Sequence, residues 1–277
     1  MTVADAITAT LVSCTEDVRA NIPGAKRGED PEALHQLRVG VRRLRAALSA
    51  YREAMPPGER RAVSRAFRRF ERNLSPARDW DVLIEKYGKA GRGDREKRDL
   101  IERAEVQRVE AHRRLANMIS QTPISRLLKR AQQLVHGKRS TSALRTPIRD
   151  FAGKVLDRRD RRARKLGRGM RSLGAKDLHR LRICVKKLRY AGEFFMGLWP
   201  TAATKAYVQA LKRLQDELGE MEDATSAARL IADIDPEHGE GGRRAREWAK
   251  ASREHASCRI FRYWRDFKDA PRFWKLS

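Results

Sequence analysis

The sequence predicts an all-α, internally duplicated protein, and three observations carry that expectation. Apolar residues recur at three- and four-residue steps through long segments, the signature of amphipathic helices. β-branched runs and alternating apolar–polar patterns are scarce. A stretch beginning at His35, HQLRVGVRRLRAA, returns at His179 as HRLRICVKKLRYA, 144 residues later.

The periodicity places helices near 3–21, 31–54, 58–87, 94–120 and 122–136. In the second half it places them near 145–167, 175–198, 203–234 (broken near Gly219) and 241–267. Asp30-Pro31 is a strong helix start, a capping carboxylate followed by a proline that has no amide to lose. Pro56-Pro57-Gly58 and Trp199-Pro200 end helices. The stretch Gly137 to Thr146 reads as a linker, dividing the chain into repeats 1–138 and 139–277.

The repeat extends beyond the two helices. Six of the eleven positions from His35 to Arg45 are identical to their counterparts, and the same offset carries Phe67-Arg68-Arg69-Phe70 onto Leu211-Lys212-Arg213-Leu214. It also carries Leu74 onto Leu218 and Asp79 onto Asp223. An offset held over about forty-five residues and through a turn indicates a duplicated unit. Two equivalent helical bundles about a pseudo-two-fold axis are the simplest architecture.

Charge narrows the functional classes. The 277 residues contain 62 Lys+Arg against 36 Asp+Glu, a formal net charge of +26. The excess is +11 up to residue 138 and +15 after it, so it is spread over the whole chain. Arginine outnumbers lysine, and its planar fork suits phosphate oxygens. An excess of this size points to an anionic partner: nucleic acid, a phosphorylated molecule or an anionic surface. No run of apolar residues is long enough to span a membrane, and the N-terminus lacks the pattern of a secretory signal. Cys14, Cys184 and Cys258 are widely spaced and odd in number, which argues against disulfide or zinc frameworks and for a reducing, cytoplasmic setting.

On a helical wheel His35, Arg38, Arg42 and Arg45 share one arc of roughly 80°. Leu34, Leu37, Val41, Leu44 and Leu48 fill the adjoining arc, while Arg43 points away from both. The second copy repeats the design: His179, Arg182, Lys186 and Arg189 form the stripe, Leu178, Leu181, Val185 and Leu188 the apolar face, and Lys187 points away. Like charges at three- and four-residue spacing destabilise a helix, and neither stripe interleaves an acid. Each row is about 15 Å long, which suits several phosphates in a line better than one small anion. Because Arg38 and Arg182 are read as projecting from the apolar faces, reversing their charge should abolish binding and spare helicity.

The histidines have cationic neighbours, which disfavours a metal ion; hydrogen bonding to an anion is the preferred role. No metal ligand set, cofactor motif or catalytic constellation is expected. Asp79 and Asp223 either orient a stripe arginine or cap a following helix segment; the sequence leaves both open. Arg158 to Arg171 either extends an anion-binding surface or is a solvated helix face, the latter being the preferred reading. Phe261 and Trp264 read as core residues rather than base-stacking platforms.

The paired segments His35-Gln36-Leu37-Arg38…Arg42-Arg43-Leu44-Arg45 and His179-Arg180-Leu181-Arg182…Lys186-Lys187-Leu188-Arg189-Tyr190 resemble the two signature helices of the CHAD family (conserved-histidine α-helical domain). So do Arg78-Asp79-Trp80-Asp81 and Leu218-Gly219-Glu220-Met221-Glu222-Asp223. The resemblance covers about residues 5–267. It implies two four-helix bundles with a basic central pore or groove, and binding of inorganic polyphosphate, often at polyphosphate granules. No CYTH-type β-rich segment is present, so the stand-alone type is expected. One departure is the acidic Glu220 to Asp223 segment, where the first copy has Arg78.

The resulting expectation is a binding protein, not an enzyme. Arg38, Arg42, Arg45, Arg182, Lys186 and Arg189 should contact phosphate oxygens, with His35 and His179 donating hydrogen bonds beside them. Arg43, Arg68, Arg69, Lys187, Tyr190, Lys212 and Arg213 are secondary contributors. Phosphate or sulfate is expected at the same place in crystals. The alternatives are a nucleic-acid-binding helical protein and a histidine-based phosphotransfer or polyphosphatase enzyme.

Overall fold

The computed structural model describes residues 1–28, 30–90, 94–135, 142–237 and 239–275. Among these the secondary structure is helical, and nine α-helices follow in order: α1 (Val3–Arg27), α2 (Pro31–Ala50), α3 (Pro57–Gly88), α4 (Arg95–Gln121), α5 (Ile124–Gln133), α6 (Ile148–Leu166), α7 (Ala175–Phe195), α8 (Ala202–Ile234) and α9 (Glu240–Asp269). Half of the expected linker, residues 137–141, lies outside the described residues. Ser142–Arg145 forms a short 3₁₀ turn.

The helix ends follow local chemistry. Thr2 and Asp5 form a reciprocal capping box at the start of α1, which satisfies two amides that the first turn would otherwise leave free. Asp30 Oδ1 accepts the Glu32 amide at 2.8 Å, with Pro31 at the first helical position of α2. Asp94 and Thr201 cap α4 and α8 in the same way. Two expectations are corrected. α1 continues past residue 21 and through Pro23, ending at Gly28 with φ +74°; buried Ala25 holds the last turn in the core. α8 is unbroken at Gly219, because Leu218 and Ala224 are buried on either side and keep the helix against its neighbours.

The predicted apolar faces form the centre of the molecule. Leu34, Leu37, Val41, Leu44 and Leu48 of α2 and Leu181, Val185 and Leu188 of α7 are fully buried, and they belong to one continuous core with Phe67, Leu74, Leu211, Leu214 and Leu218. Each such side chain contributes about 1.5–3 kcal/mol relative to exposure. At Gly40 an added methyl would stand 3.1 Å from Val18 Cγ2, so glycine sets the close approach of α1 and α2. A second cluster joins Trp80, Leu83, Tyr87 and Leu100 of α3 and α4 to Leu230, Ile231, Ala245 and Ala249 of α8 and α9. α2 and α7, which carry the two cationic rows, pack directly on one another, with α3 beside α2 and α8 beside α7.

One charge is wholly inside. Asp160 of α6 receives Arg164 Nε on both oxygens at 2.9 Å, Arg272 Nε at 2.8 Å and the Tyr207 hydroxyl at 2.7 Å. A buried carboxylate is tolerable only with such full partnering, and the network ties α6 to α8 and to the segment after α9. Trp264 is buried and Phe261 packs on the core, as their spacing predicted.

Candidate functional site

Because α2 and α7 are in contact, their polar rows converge. A cavity of about 550 Å³ opens between α2, α3 and α7. α2 supplies Arg42 and Arg45, α3 supplies Arg68, Glu71 and Arg72, and α7 supplies His179, Arg182, Lys186, Lys187 and Tyr190. Seven cations and a histidine thus share this cavity with one carboxylate, Glu71, which pairs with Arg45.

The guanidinium groups are not fully satisfied. Arg38, Arg45 and Arg182 each bury an Nε that has no hydrogen-bond partner. A buried donor left unpaired costs roughly 1–3 kcal/mol, so three of them on two facing rows require explanation. In the cavity, an anion with several oxygens would offer acceptors to the guanidinium groups of Arg45 and Arg182.

Electrostatics records the crowding. Burial first, and then Arg182, Arg42, Arg38 and Arg189, push the Lys186 amine down to about 6. Arg38 is lowered to about 10, by burial ahead of Arg42, although Asp79 and Asp223 act in the opposite sense. Arg45 is lowered by burial and by Arg68, and Lys187 by burial with Arg159 among its cationic neighbours. His35 is lowered by burial and then by Arg78. These groups raise one another's potential, and a nearby anion would favour their charged forms.

The remaining expected residues are placed as follows. Arg38 lies one turn from Arg42 behind the cavity, with Nη1 donating to the Leu74 carbonyl at 3.2 Å. It is therefore embedded rather than projecting, because its stem crosses to α3. His35 occupies the next turn of the same row, half-buried. Arg189 does not line the cavity; it donates to Gln215 at 2.8 Å, pairs with Glu193 and lies over the Tyr190 ring, 4.5 Å from its centroid. Arg43 turns away to Asp17 of α1 at 2.8 Å. Arg69 faces a different cavity, with Arg126 and Arg130. Lys212 and Arg213 are exposed on α8, and Arg213 lies over Tyr263.

Asp79 and Asp223 lie within α3 and α8, so they cap no helix. Asp223 and Glu220 accept from Lys86 Nζ at 2.9 and 2.7 Å. Asp79, its carboxyl raised by burial, acts electrostatically on Arg38 and stands 4.0 Å from Arg229. The capping reading is overturned, and the partners of these acids are Lys86 and Arg229 rather than a stripe arginine, on which Asp79 acts only through space.

Sequence reasoning overlooked Arg72, although it stands four residues after Arg68 and continues that face of α3. It also favoured a solvated helix face for the basic run after Arg158, which holds only in part. Arg158, Arg159 and Arg162 line a small cavity with Ser49, Arg52 and Cys184, and Lys187 is common to this cavity and the main one. Burial lowers Arg159 to about 10, and it donates to the Lys187 carbonyl and to Ser49 Oγ at 3.2 Å. The cationic surface therefore continues from α3 across α7 to α6.

The offset seen in sequence also relates side-chain contacts. Arg45 meets Glu71, and 144 residues on Arg189 meets Gln215. The family model of the CHAD domain matches residues 9–232. The chain belongs to the CHAD domain family. Among solved structures it is similar to the CHAD domain from the plant Ricinus communis, with 26% identity and a TM-score of 0.83 over 98% of this chain and 94% of that one. PptA from Streptomyces chartreusis shares the fold, with a TM-score of 0.69 at 15% identity over 98% of this chain and 99% of that one. No curated protein matches the chain. Among the described residues of this CHAD chain, no group of three or more His, Cys, Asp and Glu is placed to hold a metal ion, and no helix is long and apolar enough to cross a membrane.

Proposed function

We propose that this CHAD protein binds inorganic polyphosphate without altering it, in the cavity where the α2 and α7 rows meet. The observation that carries the reading is the set of buried, unpartnered Nε donors on Arg38, Arg45 and Arg182, beside a cavity in which basic side chains outnumber carboxylates seven to one. A flexible chain of phosphates offers many oxygens at close intervals and no bases to accommodate. In this reading Arg42, Arg45, Arg182 and Lys186 contact the chain directly, with Arg68, Arg72 and Lys187 at its edges. Arg38 and Arg189 hold the rows in place and add field. The two rows act together on one ligand, and longer chains bind more tightly because both are engaged at once. A cytoplasmic protein with this surface would collect on polyphosphate granules.

Nucleic acid is the competing partner, since it shares the charge and the salt dependence. It would need aromatic platforms or a groove-entering element, and among the described residues Tyr190 is the one Phe, Tyr or Trp lining the cavity. The test is competition of long-chain polyphosphate against duplex DNA and single-stranded RNA across a salt series. Polyphosphate should win, and log K should fall linearly with log salt at about 0.7–0.9 per phosphate neutralised. A tenfold preference for either nucleic acid would overturn the assignment. Shortening of the chains on incubation with magnesium would contradict a pure binding role.

A further inference from the structure

We infer that Lys186 is a nucleophilic amine that takes an acyl group from acyl phosphates docked through their phosphate on Arg42 and Arg182. The inference rests on the anion-binding reading of the cavity, but it asks for a small mixed anhydride rather than a polymer.

The geometry is unusual for a lysine. Lys186 is half-buried and opens into the cavity, flanked by Arg42 on the facing helix and Arg182 one turn earlier on its own. The cavity's one carboxylate, Glu71, is engaged by Arg45, and Glu193 is engaged by Arg189. The charged groups lining the cavity with the amine are thus Arg42 from α2, Arg182 and Lys187 from α7 and the Arg68–Arg72 face of α3, with Arg38 and Arg189 acting from outside it. Burial and these cations favour the free amine near neutral pH, the same way that a neighbouring cation activates Schiff-base lysines.

An ordinary lysine is free amine in only about one molecule in 2,500 at pH 7. A less basic amine is also a weaker nucleophile, by roughly half the logarithm of the basicity lost on a Brønsted slope of about 0.5. The net gain for the amine itself is about 15-fold, and the roughly tenfold expected from docking the reagent's phosphate brings the reaction with acetyl phosphate to about 100-fold. Fixed guanidinium forks bind the phosphate of the reagent and stabilise it as it departs.

The step balances without a co-reactant. The Lys186 Nζ lone pair attacks the acyl carbon, and the carbon–oxygen bond to the phosphate breaks with its electron pair going to oxygen. Orthophosphate leaves, and the nitrogen loses one proton to it or to water. The product is a neutral amide, so the cavity loses a titratable amine, and the displaced phosphate is held by the same arginines until it exchanges.

The experiment incubates the full chain with acetyl phosphate near pH 7 and follows each lysine by peptide mass spectrometry, with p-nitrophenyl acetate as a neutral acyl donor. Lys186 should be acetylated about 100-fold faster than the exposed Lys176 and Lys205, and long-chain polyphosphate should suppress that rate. Rates at Lys186 no faster than at those two residues overturn the inference. In Arg42→Gln and Arg182→Gln proteins of unchanged far-UV circular dichroism, the ratio of the acetyl phosphate rate to the ester rate should fall about tenfold or more. An unchanged ratio overturns the docking. Polyphosphate affinity, measured on the same preparation, separates the two readings. Tight polyphosphate binding with a sluggish Lys186 defeats only this inference. A fast Lys186 in a protein that does not bind polyphosphate defeats only the polymer reading.

Discussion

His179 Nδ1 lies 3.2 Å from Glu222 Oε2, whereas its counterpart His35 has Arg78 as its leading charged neighbour. Glu222 and Arg78 are themselves related by the offset of 144. The two ends of the cationic surface are therefore chemically unequal, one histidine held by an acid and the other crowded by a cation. Replacing Glu222 with Gln should tighten anion binding by up to about fivefold, the scale of one half-exposed ion pair. Isothermal titration at moderate salt reads this directly, and weaker binding would show that Glu222 positions His179 for the ligand instead of competing with it.

Binding should carry a proton with it. The unliganded cavity holds Lys186 at about 6 and His35 below its ordinary value, in both cases with burial as the first cause. A bound anion favours the charged forms. Protons are therefore taken up on binding near neutral pH, and log K rises as pH falls from about 8 towards 6. Calorimetry in two buffers of different ionisation enthalpy should give net uptake approaching one proton per site, and Lys186→Met should remove most of it.

The same group sets a pH dependence of folding with a definite sign. Between about 6 and the ordinary lysine value of 10.5 the unfolded chain carries a proton on Lys186 that the folded chain lacks. The unfolded state binds more protons, so the contribution of Lys186 to stability rises with pH across that window and is flat below it. Thermal melts of wild type and Lys186→Met from about pH 6 to 9 should converge on the alkaline side. Divergence on that side would contradict the assignment.

The helices and both rows were legible in the sequence because they depend on local periodicity. Leu34 to Leu48 and Leu181 to Leu188 bury as their spacing requires, and the resemblance to the CHAD family followed from the rows themselves. What escaped was set by contacts between helices. Pro23 and Gly219 stay inside helices because flanking side chains are buried against neighbours, which no local signal reports. Arg38 looked free on the wheel, yet it reaches across to the Leu74 carbonyl of α3. The cavity around Arg159 needs α6 laid against α7, and the low basicity of Lys186 needs both rows at once.

The Asp160 network should matter for stability and not for ligand. Asp160→Ala leaves Arg164, Arg272 and the Tyr207 hydroxyl without their shared acceptor. Breaking a buried charge network in this way costs about 3–5 kcal/mol. Chemical denaturation should show that loss, while the fraction still folded should bind polyphosphate with wild-type affinity.

The most direct trial of the account is polyphosphate affinity in three charge reversals, Arg42→Glu, Arg182→Glu and Arg145→Glu, at one salt concentration. The first two face each other in the cavity and the third is exposed on the turn before α6. Each cavity reversal should weaken binding by about 100-fold, by analogy with truncating one member of a buried charge contact at roughly 2–5 kcal/mol, while Arg145→Glu should change it less than about threefold. Equal losses in all three would mean that diffuse surface charge, not the meeting of the α2 and α7 rows, holds the ligand.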